Sequence, residues 1–256
     1  MIHSARNSAR GRDRSHEVKG LQPSLWEQGL PAQEKPPAKL VDIYLFPALG
    51  NQLDIKEKKV IVWLERKLIY MKKAAVIVAP GFEEGETLTI VDILRRAQIH
   101  CDMVGFEKVV KGGHDIEVQC DQVLNEDIID YDMVVLPGGY GGADAMRSCN
   151  QVIDILHQMN NQGKYICAMC AAPIVLEKAG LLKDKKYTAY MGYDQKIHQG
   201  TYLEDKVVID GNLVTSRGPA TAYAFAYKLV ELLGGDALTV KKRMVYFNAF
   251  DVKEDE

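Results

Sequence analysis

Short apolar runs alternate with stretches of helical spacing from Lys72 to about Val240. The run "AAVIVAP" at 74–80 is continuously apolar, the pattern of a parallel strand covered on both faces. "EGETLTIVDILRRAQ" at 84–98 places Leu88, Val91 and Leu94 at helical spacing, and a second apolar segment, "HCDMVGF", follows it. "VVKGGHDIEV" predicts a hairpin about its Gly-Gly pair. "YDMVVLPGGYGG" is a strand running into a glycine-rich loop, "NQVIDILHQMNNQG" an amphipathic helix closed by Gly163, and "KYICAM" the next strand. A helix from Ala171 stops near Gly180, and "KVVIDGNLVTSRGP" holds two strands about an Asp-Gly turn. "PATAYAFAYKLVELLGG" is a helix with Pro219 near its first position and Gly234 past its end. This alternation predicts an α/β fold, a doubly wound and mainly parallel sheet with helices on both faces. Ligands of such sheets bind beyond the carboxyl ends of the strands. The loops "PGFEEGE", "LPGGYGG" and "CAMCAAP" fall at that place.

Composition divides the 256 residues unevenly. Residues 1–70 hold both tryptophans, five of the nine prolines and no cysteine, and carry 12 Lys and Arg against 8 Asp and Glu. With the whole chain at −3, the remainder stands at −7. The opening is polar, basic and without period, and "PAQEKPPAK" has the composition of a linker. "KKVIVWLERKLIY" has the apolar content of a short strand or helix but no matching partner. We expect residues 1–70 to be a disordered extension or translation upstream of a natural start at Met71, and residues 71–256 to form the functional domain. No basic excess points to nucleic acid, and the apolar runs are too short for a membrane span. Five cysteines, an odd number, do not suggest a disulfide framework, so a cytoplasmic setting is expected.

Candidate chemistry centres on "YICAMCAAPIVLEKAG", with cysteines at 167 and 170. A redox couple needs both thiols at a helix start. Here the strand covers Cys167, whereas Cys170 stands at the turn. A structural zinc site needs a second close pair of ligands. Cys101, Cys120 and Cys149 are scattered and His100, His114, His157 and His198 form no cluster, so no metal is expected. A nucleophile at Cys170 fits better. Ala168, Ala171 and Ala172 supply the small neighbours of a strand-to-helix elbow, and Pro173 suits a first helical turn. The helix start also favours thiolate over thiol. A buried structural cysteine is the competing reading, and spacing alone leaves the two open. Glu83, Glu84 and Glu86 shift the balance if the first strand lies near the elbow. A carboxyl beside a thiolate stays protonated and can donate, whereas Glu83 and Glu84 read as solvated acids at a helix N-terminus.

Taken in order, "APGFEEGET", "VDILRRA", "YDMVVLPGG", "ICAMCAAP" and "LVTSRGPATAYAFA" resemble the DJ-1 branch of the ThiJ/PfpI superfamily from about Lys72 to about Val240. The resemblance implies a flavodoxin-like fold, a homodimer and a cofactor-free site. It matches Cys170 to the family's reactive cysteine and Glu86 to its protonated partner. Gly138 and Gly139 match the turn whose backbone faces the sulfur, Ala171 supplies a further N–H, and Pro219 lines the pocket. Tyr190 occupies the position of a histidine that branch members often carry, and the nearest histidine is His198. Ala171 replaces the histidine that follows the cysteine in the peptidase-like branch, which argues against protease activity. The implied activity is glyoxalase- or deglycase-type processing of small oxoaldehydes or glycated substrates. An oxidative-stress sensor or chaperone-like protein using Cys170 is the alternative.

Overall fold

A computed structural model describes residues 72–249. The readings made for residues 1–70, including "KKVIVWLERKLIY", lie outside the described residues. The strands are β1 (Lys73–Val78), β2 (His100–Gly105), β3 (Val109–Lys111), β4 (Glu117–Gln119), β5 (Gln122–Val123), β6 (Met133–Leu136), β7 (Tyr165–Met169), β8 (Lys186–Tyr187), β9 (Thr201–Tyr202), β10 (Val207–Asp210) and β11 (Leu213–Ser216). The helices are α1 (Glu84–Arg96), α2 (Tyr140–Ser148), α3 (Asn150–Asn161), α4 (Pro173–Lys178), α5 (Ala222–Leu232), α6 (Ala237–Arg243) and α7 (Tyr246–Ala249).

Seven strands form one sheet in the order β10-β11-β7-β6-β1-β2-β5. Every pairing in it is parallel except β10 with β11. β1 is central and almost wholly buried because helices cover both its faces, which is why its sequence is apolar without alternation. Helices α1 and α5 pack together as one group, and α2, α3 and α4 as another. The chain leaves β1 toward β2 and then returns to β6 on the other side of β1. That reversal opens a crevice at the carboxyl ends of β1 and β6, the usual ligand position in such sheets. β7 lies one strand beyond β6, so the loops after β1, β6, β7 and β11 meet at one edge.

Three local expectations change. Leu88 is 40% exposed, while Ile90, Val91, Ile93 and Leu94 fill the core. The helix after the elbow begins at Pro173, not Ala171. The glycine-rich loop is short, because α2 starts at Tyr140 and takes in Gly141 and Gly142. Both glycines lie against the loop after β1, where Gly142 N–H donates to the Gly81 carbonyl at 3.0 Å. Close packing decides there, not local propensity. The hairpin forms as expected, with β3 and β4 antiparallel.

Candidate active site

β7 ends at Met169, and the chain turns at Cys170 with φ of 59°. That left-handed conformation is disfavoured for a residue carrying a Cβ, by roughly 1–3 kcal/mol. Two backbone bonds hold it. Cys170 N–H donates to the Ser216 carbonyl at the end of β11 (3.0 Å), and the Cys170 carbonyl accepts from Tyr190 N–H (2.8 Å). Ala168, Ala171 and Ala172 are fully buried around the elbow, and Pro173 takes the first position of α4. Cys167 is completely buried within β7, where burial pushes its thiol well up. No disulfide joins the two cysteines.

Glu86 faces the elbow from the first turn of α1 and is 0% exposed. Its Oε2 accepts from Gly138 N–H at 2.7 Å, while Oε1 is buried with no hydrogen-bond partner. The carboxyl interacts with the Cys170 thiol, and the amides of Gly139 and Ala171 face the sulfur. Gly138 departs from expectation in one respect: its N–H serves Glu86 rather than Cys170. Its bare Cα is nevertheless essential to the fit, since a Cβ there would stand 2.5 Å from the Cys170 Cβ and 2.6 Å from Glu86 Oε2.

Burial dominates the electrostatics. It pushes the Glu86 carboxyl up to about 7, against the lowering effect of its bonds to Cys170 and Gly138. Burial and then the Glu86 charge push the Cys170 thiol up, against the Gly139 and Ala171 amides. The expectation that the helix start would lower this thiol is therefore corrected. α4 has six residues and a correspondingly weak dipole, and Cys170 is only 7% exposed. Like charges in one dry site cannot both ionise easily, so the two groups titrate as a unit. Above about pH 7 that unit holds a single proton.

The remaining sequence candidates are placed as follows. Tyr190 lies over the elbow through its backbone bond and packs on Gly218. Pro219 is exposed at the start of a single turn of 3-10 helix, and Gly218 is the member of that turn that meets Tyr190. His198 is exposed, and its N–H is tied to Glu177 at the far end of α4, so it stands away from the elbow. Glu83 caps α1 by accepting from Glu86 N–H. Glu84 is not solvated: it is 4% exposed and bonds both the N–H and Nδ1 of His114, at 2.7 and 2.8 Å. Among the described residues, Glu83, Glu84 and His114 are the group whose ligand atoms approach within 4.8 Å of one another. Both Glu84 oxygens are engaged with His114, and the trio clasps the β3–β4 hairpin to the loop after β1.

A doubly wound sheet with a strained cysteine turn beside its switch point, facing a buried carboxyl, defines a class of cysteine-elbow α/β proteins. This chain belongs to the DJ-1/PfpI family, whose model matches residues 72–232. It is 44% identical over 169 residues to protein dj-1beta of Drosophila melanogaster, covering 64% of this chain and 90% of that one. The crystal structure of Drosophila DJ-1beta matches with a TM-score of 0.65 at 41% identity, covering 68% of this chain and 97% of its own. Deglycase PfpI of Pyrococcus furiosus is 33% identical, over 63% of this chain and 99% of the relative. An oxidised Toxoplasma gondii DJ-1 structure matches at 31% identity with a TM-score of 0.64, covering 68% and 98%.

Proposed function

We propose that the protein processes small α-oxoaldehydes without a cofactor, with Cys170 as nucleophile and Glu86 as proton carrier. The fully buried Glu86 carboxyl in contact with the Cys170 thiol carries this reading. Two amides serve the sulfur and one serves the carboxyl, which favours negative charge on sulfur and the shared proton on the carboxyl. The Cys170 thiolate attacks the aldehyde carbon, forming a C–S bond, and the carbonyl oxygen takes the Glu86 proton to become the hydroxyl of a hemithioacetal, leaving Glu86 a carboxylate. Glu86 removes the proton from that carbon and returns it to the neighbouring carbon, while the hydroxyl proton passes to the neighbouring oxygen, leaving a 2-hydroxy thioester. Gly139 and Ala171 N–H groups stabilise the developing oxyanion. Water cleaves the thioester, releasing a 2-hydroxy acid and regenerating the thiolate. The net change is addition of one water. The Pyrococcus relative is named a deglycase, and a glycated substrate would present the oxoaldehyde-derived carbon to the same nucleophile.

Conversion of methylglyoxal to lactate by the purified protein tests this, with chirality read by D- and L-lactate dehydrogenases. Turnover is expected in wild type and not in Cys170→Ser. Lactate formation by both, or by neither, would overturn the reading. The charge assignment has its own measurement. The 240-nm absorbance difference between wild type and Cys170→Ser is expected to show thiolate below the ordinary thiol range of about 8.5. A thiolate signal absent until above the ordinary thiol range of about 8.5 would put the proton on sulfur instead.

A second reading is favoured by the oxidised state of the Toxoplasma relative. Here Cys170 is a peroxide sensor: the thiolate takes one oxygen from each peroxide, releasing water, and passes through sulfenate to sulfinate. The Glu86 carboxyl and the two amides would donate to the new oxygens. The five unpaired cysteines support a reducing, cytoplasmic setting, and the homodimer implied by the family resemblance belongs to the same reading. Among the described residues, no helix is long and apolar enough to cross a membrane.

A further inference from the structure

Three tyrosines surround the mouth above Cys170, and the chemistry proposed for Cys170 and Glu86 uses none of their rings. Tyr140 opens α2 directly after Gly139, whose amide faces the sulfur. Tyr190 N–H donates to the Cys170 carbonyl at 2.8 Å, and Tyr193 N–H donates to the Tyr190 carbonyl at 3.0 Å. Each ring is therefore fixed to the elbow through one or two backbone links. Their centroids lie 6.2 to 6.4 Å apart. Tyr190 stands at 83° to Tyr140 and 77° to Tyr193, while Tyr140 and Tyr193 are within 16° of parallel. These are the separations and angles at which aromatic rings attract one another. The Tyr140 and Tyr193 hydroxyls lie within electrostatic reach of Cys170. Tyr193 is buried and Tyr190 half-buried, yet Tyr140 is 62% exposed. A large ring is thus left in water at the entrance to the thiol.

Charge narrows the kind of guest. Lys196 Nζ already lies 4.3 Å from the centre of the Tyr193 ring. Asp144 and Arg147, near Tyr193, pair with each other at 2.9 Å and offset one another. A cationic guest would meet Lys196, whereas a neutral ring would not be opposed. We infer that Tyr140, Tyr190 and Tyr193 form an aryl subsite, so that the site prefers α-oxoaldehydes bearing an aromatic ring to those bearing a methyl group. The inference rests on Cys170 being the oxoaldehyde nucleophile, but the subsite can be measured separately from the reaction.

The full-length protein is assayed for initial rates with phenylglyoxal and methylglyoxal, and for binding of mandelate and lactate, the corresponding hydroxy acids, by calorimetry. Wild type is expected to favour phenylglyoxal in kcat/KM by about tenfold or more, and mandelate over lactate in the same sense. Tyr140→Ala should lower the phenylglyoxal value about tenfold more than the methylglyoxal value. Tyr140→Phe should keep the ratio, because the ring and not the hydroxyl makes the contact. A merely structural role for Tyr140 would lower both substrates alike and leave the ratio in place. That result, or a wild-type preference for methylglyoxal, overturns the inference. Mandelate preference lost in Tyr140→Ala, in a protein that turns over neither aldehyde, keeps the subsite and overturns the reaction. Turnover with no mandelate preference does the reverse.

Discussion

Glu86→Gln is expected to abolish a pH-dependent loss of stability while lowering oxoaldehyde turnover by about 10²-fold or more. The Glu86 carboxyl is pushed up from 4.5 to about 7, so the folded protein holds that proton more tightly than the unfolded chain does. Its contribution to stability is fully present below about pH 4.5 and is lost as pH rises through about 7. The loss corresponds to roughly 3 kcal/mol, a large fraction of the stability of an ordinary domain. Linkage counts protons without regard to the atom that holds them, so the slope does not depend on whether sulfur or the carboxyl carries the shared one. In the Gln variant no carboxyl titrates, and the decline between pH 4.5 and 7 should be absent. Denaturant unfolding of both proteins at several pH values in that interval measures it. Catalysis moves the other way, because the amide can donate to the sulfur but cannot transfer a proton between two carbons. Glu83→Gln is the control. Its side chain caps α1 by accepting from Glu86 N–H, and Gln retains that acceptor. If the two substitutions changed the stability slope and the turnover equally, the carboxyl partner would be misidentified.

The parts of this arrangement written in short stretches were legible from the chain itself. A continuous apolar run marks β1 because the strand is covered on both sides, and small residues beside Cys170 mark the elbow because nothing larger fits there. Spacing was a weaker guide within α1. Steps of three residues fall about 60° short of a full turn, so Leu88, Val91 and Leu94 drift across the helix, and Leu88 emerges into water. What long-range contacts decide was hidden. Glu84 is buried by a histidine 30 positions away on the β3–β4 hairpin, and no periodicity reports that pairing. The Tyr140, Tyr190 and Tyr193 rings come from the start of α2 and from a loop some fifty residues further on. The direction of the thiol shift was also hidden. A helix start suggested thiolate, but burial acts on Cys170 and Glu86 together and outweighs a six-residue helix.

Adjacent glycines allow the site to be disturbed in two different ways. Gly139 has φ of 88°, and a Cβ there would stand 2.3 Å from the Gly81 carbonyl oxygen and 2.6 Å from Glu83 N. Both obstacles are backbone atoms of the loop that leads into α1, so neither can rotate away. Gly139→Ala combines a disfavoured backbone with overpacking, and should destabilise the fold by roughly 2–5 kcal/mol. Gly138 has an ordinary backbone for a residue with a side chain. The atoms an added Cβ would meet are the Cys170 Cβ at 2.5 Å, Glu86 Oε2 at 2.6 Å and Cys170 Sγ at 3.0 Å. Gly138→Ala can be accommodated only by driving sulfur and carboxyl apart, and Gly138 N–H would lose its alignment on Oε2. Overpacking of this kind costs about 1–3 kcal/mol, so the protein should still fold. Proton transfer falls steeply with a misplacement of about 1 Å, and turnover should drop by about 10²-fold or more. The Glu86 titration should also move, since its hydrogen-bond partners are displaced. Unfolding curves and lactate formation on the two variants separate the cases. Gly138→Ala turning over methylglyoxal at the wild-type rate would show that contact between Cys170 and Glu86 is not needed for the reaction.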